Sequence, residues 1–372
     1  MAEESTAFKN LINAGVVNTY AQILLSIDSK FDQKSFKKMT SGLETLELKA
    51  RVQLISKALH AVMGDHYPRS IEKLLKVSRS GKLSQFELWP ITEFIRSYGL
   101  EHFDLSFQAM QDITTRFTSE FAVRPFLIQH RERGFKTLEE CAIHKNVHVR
   151  RWASEGSRPY LPWGEKLKQS VIDPSPNLRI LEILRFDSEL YVRKSVANHL
   201  NDLAKDHPEL VIQTLKRWQK EVPAGYEKEL QFLLSRALRT LIKNRHPKAL
   251  QLMGVSSKPN DISMGQLRLS PLKVKFGSPL SFSFEIKHRK SAPQTKIIID
   301  YAIHFQKSNG KLAPKVFKLK NGILRGSEVL KIEKKHPFKA ITTRTYYSGP
   351  HKLEIFINGR SMAIADFELR GV

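Results

Sequence analysis

Up to about residue 255, apolar side chains recur three and four positions apart, the period of helices buried along one face. Leu43, Leu46, Leu48 and Ala50 lead into Val52, Ile55, Leu59 and Val62, and similar stripes cover Phe8–Ile27, Ile71–Val77, Ile91–Tyr98 and Phe103–Phe117. The stripes break at Gly64 to Pro68, at Ser80–Gly81 and at Pro174 to Pro176, where Gly and Pro favour turns. The texture then changes through Gly254, Ser256, Ser257 and Pro259, which reads as a linker. From about Ser263 the period is two, as in Leu280–Ile286, Lys296–Ile303, His351–Ile357 and Met362–Leu369. Seven or eight short strands in this stretch predict a β-sandwich of immunoglobulin-like size, without its buried disulfide. The expected organisation is therefore mainly α, with a helical domain over 1–255 and an all-β domain over 262–372.

The helical part repeats. Val149-Arg-Arg-Trp-Ala-Ser-Glu-Gly156 aligns with Val192-Arg-Lys-Ser-Val-Ala-Asn-His199 and with Leu234-Ser-Arg-Ala-Leu-Arg-Thr-Leu241. A spacing of 40–47 residues in helical sequence suits a HEAT-like α-α solenoid, whose paired helices bury their faces by stacking. Val149, Val192 and Leu234 then point to the core. Arg151, Lys194 and Arg236 share one position, and Glu155, Asn198 and Thr240 follow one turn later on the same face. Asp202 and Asn244 lie a further turn along. Stacking would set these positions side by side as a basic and polar band suited to a phosphate backbone. A single Arg–Glu pair at this spacing is more often a solvated salt bridge; repetition of the basic position in three units favours a binding face.

Charge extends that picture. In 372 residues, Lys and Arg number 61 against 37 Asp and Glu, a net charge of +24, while 41% of residues are hydrophobic. Such a chain can bury a substantial core, and its excess charge favours a polyanion, nucleic acid before an anionic membrane surface. From Asp261 onward there are 21 basic and 8 acidic residues, net +13, against +11 for the first 260. The β-rich part is the denser cation. Cys141 is the sole cysteine, which excludes an intrachain disulfide and thiolate-rich zinc sites and fits a reducing cytoplasm. No signal peptide is visible, and no run of 18 apolar residues would span a membrane.

Little classical chemistry is on offer. The 13 His are scattered, and no H-E-x-x-H motif or Cys/His cluster predicts a metal. His144 and His148 form an i,i+4 pair without an evident third ligand. Walker A, G-x-G-x-x-G and G-x-S-x-G motifs are absent, so neither a metal nor a nucleotide cofactor is expected. What stands out is the run from Val147 to Gly164, which joins Arg150, Arg151, Glu155 and Arg158 to Trp152, Trp163 and a Pro-containing loop. Ring faces attract cations and carboxylates oppose them directly, so this combination suits a cationic ligand. Glu120 and Asp202 could add negative charge to the same pocket. Trp152, inside the helical pattern, fits either core packing or a contact between repeats; Trp163, between Pro162 and Gly164, is the better candidate for an exposed ring. The bland alternative makes both rings core, with Glu155 bridged to Arg151 or Arg158.

At these motifs the chain resembles the bacterial AlkC-type DNA alkylation-repair glycosylases, relatives of the AlkD type built from HEAT-like repeats. The resemblance rests on Leu43–Arg51, Leu88–Phe94, Phe117–Phe126, the Val147–Gly164 run and Val192–Asp202, in that order, and covers most of residues 8–250. Some members carry a C-terminal immunoglobulin-like domain, in keeping with the β-pattern here.

The resemblance implies hydrolysis of the N-glycosidic bond of cationic bases such as 3-methyladenine and 3-methylcytosine in duplex DNA, without full base flipping. It implies Glu155 as principal carboxylate, Asp202 and Glu120 in support, and Trp163 lining the sugar. Arg150, Arg151 and Arg158 would hold flanking phosphates, with Trp152, Lys194, Asn198 and Arg236 along the repeat face and Lys287, Arg289, Lys318 and Lys320 on the β-domain. A monomer acting on nucleoid DNA in the bacterial cytoplasm is expected. The alternative is a non-catalytic HEAT-repeat protein that recognises distorted DNA or RNA.

Overall fold

A computed structural model describes residues 7–255, 262–288, 294–341 and 344–372. Helices fill the first part: α1 (Ala14–Ile27), α2 (Gln33–Met39), α3 (Leu48–Met63), α4 (Tyr67–Arg79), α5 (Trp89–Tyr98) and α6 (Phe103–Ile113). Next come α7 (Arg124–Gln129), α8 (Arg131–Ala142), α9 (Val147–Gly156), α10 (Lys168–Ile172), α11 (Ser175–Leu184) and α12 (Leu190–Leu203). The last four are α13 (Pro208–Lys220), α14 (Glu227–Ala237), α15 (Arg239–Lys243) and α16 (Pro247–Leu252).

Local sequence sets where these helices begin. Asn13, Asp32 and Asn146 each accept hydrogen bonds from first-turn amides, satisfying donors that a helix start leaves open. Proline occupies the first turn of α4, α5, α7, α11, α13 and α16, where its missing N–H costs nothing. In the solenoid, α8 packs on α9 and α11 on α12, while α9 lies against α12 and α12 against α14. Val149, Val192 and Leu234 are fully enclosed, as the repeat alignment requires. The third unit departs from the alignment, because α14 stops at Ala237 and α15 starts at Arg239. Arg236 and Thr240 therefore do not share one continuous helix.

The chain forms two compact units, Met1–Asp206 with Val222–Ala237, and His207–Glu221 with Leu238–Val372. The switch from helix to strand, between Leu252 and Ile262, lies inside the second unit. There Leu250 and Val255 cluster with Ile298, so the final helical turns share a core with a strand.

Nine strands follow: β1 (Ile262–Met264), β2 (Arg268–Ser270), β3 (Lys273–Lys275), β4 (Pro279–His288), β5 (Thr295–Gln306), β6 (Leu312–Leu324), β7 (Val329–Pro337), β8 (Gly349–Ile357) and β9 (Arg360–Arg370). One sheet has β4 paired with β1, β2 and β7; the other runs β3-β9-β8-β5-β6. Alternation builds the core between them. Leu280, Phe282, Phe284 and Ile286 of β4 share one cluster with Ile297, Ile299, Tyr301, Ile303 and Phe305 of β5. The opposite face of β5 is also buried at Ile298, Asp300 and Ala302, which makes this strand a nearly continuous apolar run. Among the described residues no helix is long and apolar enough to cross a membrane.

Candidate active site

In the first unit a line of enclosed charge runs across α9, the loop that follows it and α12, with Glu120 joining from the segment before α7. Glu155 and Arg158 flank the C-terminal end of α9, and Asp202 sits near the end of α12, the helix packed against it. Arg158 Nη1 donates to Glu155 Oε1 at 2.5 Å, and its Nε and Nη2 both lie 2.8 Å from Asp202 Oδ2. Lys205 Nζ, one turn beyond, donates to Asp202 Oδ1 at 2.9 Å. On the other side, Arg151 Nη2 stands 3.6 Å from Glu155 Oε2, while its Nη1 donates to Glu120 Oε2 at 2.6 Å. Thr118 holds Glu120 in place, its hydroxyl donating to the carboxylate at 2.9 Å. The charges thus alternate along one line: Glu120, Arg151, Glu155, Arg158, Asp202, Lys205.

Enclosure makes the line consequential. Glu155 is 6% exposed and Asp202 2%. Burial by itself would raise the Glu155 pKa, but the Arg151 and Arg158 charges and the Ser195 hydroxyl outweigh it and hold the carboxyl below the usual range. Burial likewise works to lower the Arg158 and Arg151 pKa values, and the facing carboxylates overcome it in both. The site therefore holds a fixed carboxylate anion at neutral pH.

A second set of polar groups fixes the register of α9 on α12. Ser195 Oγ donates to Glu155 Oε2 at 2.6 Å and lies 3.0 Å from Ser154 Oγ. His199, fully enclosed, has Nδ1 2.9 Å from the Ser154 carbonyl, which can only accept. Its Nε2 is 3.0 Å from Asn177 Nδ2, which also donates to the Ser157 carbonyl at 2.7 Å. These partners select the Nδ1–H tautomer. Burial first, and then the Arg158 charge, push the His199 pKa down to about 3, so the ring is neutral and structural.

The loop after α9 carries Trp163. Gly164 N donates to Leu161 O at 3.0 Å, closing a turn with Pro162 and Trp163 at its centre. Trp163 has φ of +66°, the left-handed backbone a type II turn needs at this place and normally fills with Gly. A bulky residue held there stores roughly 1–3 kcal/mol of strain, which persists only where the surroundings over-determine it. They do so here. Lys49 Nζ donates to the Trp163 carbonyl from the start of α3. The ring itself is 59% exposed, whereas Trp89, Trp152 and Trp218 are buried. Behind the loop, Trp89 and Phe121 stack at 5.3 Å and help line a small cavity of about 100 Å³ with Glu93 and Trp163.

Several positions expected on the DNA-facing surface are placed differently. Trp152 is fully enclosed at 6.0 Å from Phe107, so it packs the core and cannot meet a ligand. Arg150 is locked into a fork on Asp187, at 2.6 and 3.1 Å, and donates further to the His144 and Lys145 carbonyls. Arg158 is consumed by its two carboxylates. Both guanidinium groups are therefore committed to internal acceptors, and Arg158 is also enclosed. Arg236 Nε donates to Asn198 Oδ1 at 2.9 Å, as Arg151 does to Glu120: each reaches back to a polar residue earlier in the chain. Lys194 is exposed, and so are Lys287 on β4 and Lys318 and Lys320 on β6, which lie in different sheets. Arg289 lies outside the described residues. Among the described residues no group of three His, Cys, Asp or Glu could hold a metal ion.

Comparison with known proteins fixes the family. The alkylpurine DNA glycosylase AlkC of Pseudomonas fluorescens, in a structure bound to DNA containing an abasic site analog, matches with a TM-score of 0.90 and 35% identity. The match covers 98% of this chain and 100% of that one. The chain belongs to the AlkC family. Uncharacterized protein YhaZ of Bacillus subtilis (strain 168) is 38% identical over 324 residues, 87% of this chain and 88% of its own length. The C-terminal Ig-like domain family of uncharacterised protein YhaZ matches residues 263–371. AlkC-family membership accounts for the pairing of an α-solenoid with an Ig-like β-sandwich.

Reasoning on the sequence missed Ser195, Arg124 and Lys49 as parts of this site. Ser195 was within reach, since it lies seven residues before Asp202 on the same face of α12. Lys49 and Arg124 act on main-chain carbonyls distant in sequence, and no spacing signals that.

Proposed function

We propose that the protein is a DNA glycosylase that hydrolyses the N-glycosidic bond of cationic alkylated bases, 3-methyladenine and 3-methylcytosine, in duplex DNA. The observation that carries this reading is the enclosed, ionised Glu155 between two arginines, on the helix that leads into the loop of the exposed Trp163, in an AlkC-family fold. An N3-methylated base is cationic. When its bond to C1′ breaks, the bonding electrons neutralise the base, and the sugar moves toward an oxocarbenium ion. Water adds to C1′, a proton is released to solvent, and the products are a neutral free base and an abasic site.

The catalytic need is thus for fixed negative charge near C1′ more than for an acid. Glu155 meets it. A carboxylate held below its usual pKa is a weak base and a good electrostatic partner, so its role is to stabilise the sugar cation and orient the water. Asp202 acts through Arg158, which it fixes against Glu155. Glu120, the least enclosed carboxylate of the line, holds Arg151 on the opposite side. Trp163 would present its electron-rich face to the deoxyribose. The exposed lysines on the solenoid and the β-sandwich supply phosphate contacts, with the protein acting as a monomer.

One observation favours a second reading, a non-catalytic binder of distorted nucleic acid: both Glu155 oxygens already have partners within the protein. Incubating excess native protein with a defined duplex that contains 3-methyladenine or 3-methylcytosine separates the two. Release of the free base supports the glycosylase; tight binding without release supports the alternative.

A further inference from the structure

We propose that Arg124 is a positioning residue that locks the Trp163 loop to the C-terminal end of α9, so that the exposed ring and the buried carboxylate keep a fixed separation. The inference deepens the glycosylase reading and rests on it for its kinetic consequences only. Arg124 begins α7 and is fully enclosed. A buried guanidinium is ordinarily matched by a carboxylate. Here each of the hydrogen bonds the structure shows for it ends on a main-chain carbonyl. Nη1 donates to Gly156 O at 3.0 Å and to Arg158 O at 2.9 Å, while Nε donates to Glu165 O at 2.7 Å and Nη2 reaches the same oxygen.

Those three carbonyls bracket the functional segment. Gly156 is the last residue of α9, one past Glu155. Arg158 carries the guanidinium that bridges Glu155 and Asp202. Glu165 lies two residues beyond Trp163. One planar fork therefore ties both ends of the loop to one point, and only a guanidinium offers donors in that spread. Burial lowers the Arg124 pKa to about 10, which still leaves it charged at neutral pH. The contact extends to the turn itself, since a Cβ on Gly164 would meet Arg124 Cδ and Nε at 3.1 Å and Leu161 Cδ2 at 3.2 Å. Gly164 is thus the close approach that lets the fork reach past the turn. The strained backbone at Trp163 is clamped by Arg124 after it and by Lys49 at its own carbonyl.

The test uses the full chain and two variants that loosen the clamp from opposite sides, Arg124→Lys and Gly164→Ala. Lysine keeps the charge and loses the fork; alanine leaves Arg124 in place and wedges the turn away from it. Single-turnover release from a 3-methyladenine duplex is expected to fall by roughly 10- to 100-fold in both, the scale on which about an ångström of misplacement acts. The KM for DNA and the melting temperature of Gly164→Ala should stay close to native. A second readout needs no activity. Trp163 is the exposed one of the four tryptophans, so fluorescence anisotropy corrected with Trp163→Phe reports its freedom. Lower anisotropy and stronger acrylamide quenching in both variants are expected. Native release rates with unchanged anisotropy in folded Gly164→Ala and Arg124→Lys would overturn the proposal. If native protein releases no base but the variants still free the Trp163 ring, the clamp stands and the glycosylase reading falls.

Discussion

The chain up to residue 260 and the chain beyond it carry net charges of +11 and +13, yet the first also encloses a line of alternating charges that adds nothing to its net. In that line Arg151 and Arg158 are interleaved with Glu120, Glu155 and Asp202 and donate to them from enclosed positions. In the β-sandwich, Lys287, Lys318 and Lys320 stand in solvent on strands of different sheets. The contrast follows from dielectric surroundings. A charge pair sealed from water acts strongly at short range and hardly responds to salt, whereas exposed lysines act on a phosphate backbone through counterions and respond steeply. Net charge alone hides this division between enclosed and exposed charge.

Removing the centre of the buried line should have the largest effect. Arg158→Met leaves Glu155 and Asp202 facing one another without their shared cation, and breaking a buried pair from one side costs about 3–5 kcal/mol. Urea denaturation should show a loss on that scale, with base release falling at least ~100-fold. An unchanged midpoint would mean that the line is ornamental. Trp163→Gly separates function from stability. It removes the ring and relieves the left-handed backbone, so the variant should gain up to about 1 kcal/mol while losing roughly tenfold in release rate. The β-sandwich should behave in the contrary sense. Lys287→Ala with Lys320→Ala should leave melting and single-turnover release untouched, but flatten the plot of log affinity against log salt by about two units at most. A slope equal to native would show that these lysines do not meet phosphate.

The smallest effect is in pH dependence, where the two regions have opposite signs. Glu155 is held below its usual pKa, so the stability it lends is present at neutral pH and lost as pH falls through its folded value, below the ordinary glutamate range. Asp300 on β5 is pushed up to about 6 by burial, only partly offset by Lys318 and Arg245. Its folded form takes up a proton before the unfolded chain does, so it favours folding increasingly as pH drops from about 6 toward 4. Asp300→Asn should abolish that rise in denaturation measurements from pH 7 to pH 4, and Glu155→Gln should remove the later acid loss.

Much of this was legible in the residues. Apolar spacings of three and four against two separated helix from strand, because burial on one face imposes them whatever the detail of packing. The repeat alignment placed Val149, Val192 and Leu234 in the core, and the exposed ring at Trp163 followed from its position between Pro and Gly. The strands Leu312–Leu324 and Val329–Pro337 were harder to see, since their lysine-rich outer faces blur the alternation. The partners of the basic residues were harder to read, for a physical reason. A helix face shows which residues point the same way, but not which partner each finds. Arg150 turned to Asp187, Arg158 to its two carboxylates and Arg236 to Asn198, and Trp152 went to the core. Arg124 escaped notice because its acceptors are backbone carbonyls, which every residue possesses and no motif marks.

The most direct measurement of the central claim sets native protein beside Glu155→Gln in single-turnover release of 3-methyladenine from a defined duplex, with binding to abasic-analog DNA measured in parallel. Glutamine keeps the shape and removes the negative charge. The account predicts release by native protein and a fall of about 100- to 1,000-fold in the variant, with binding to the abasic analog largely retained. Equal rates for the two proteins would contradict it, as would failure of the native protein to release the base at all.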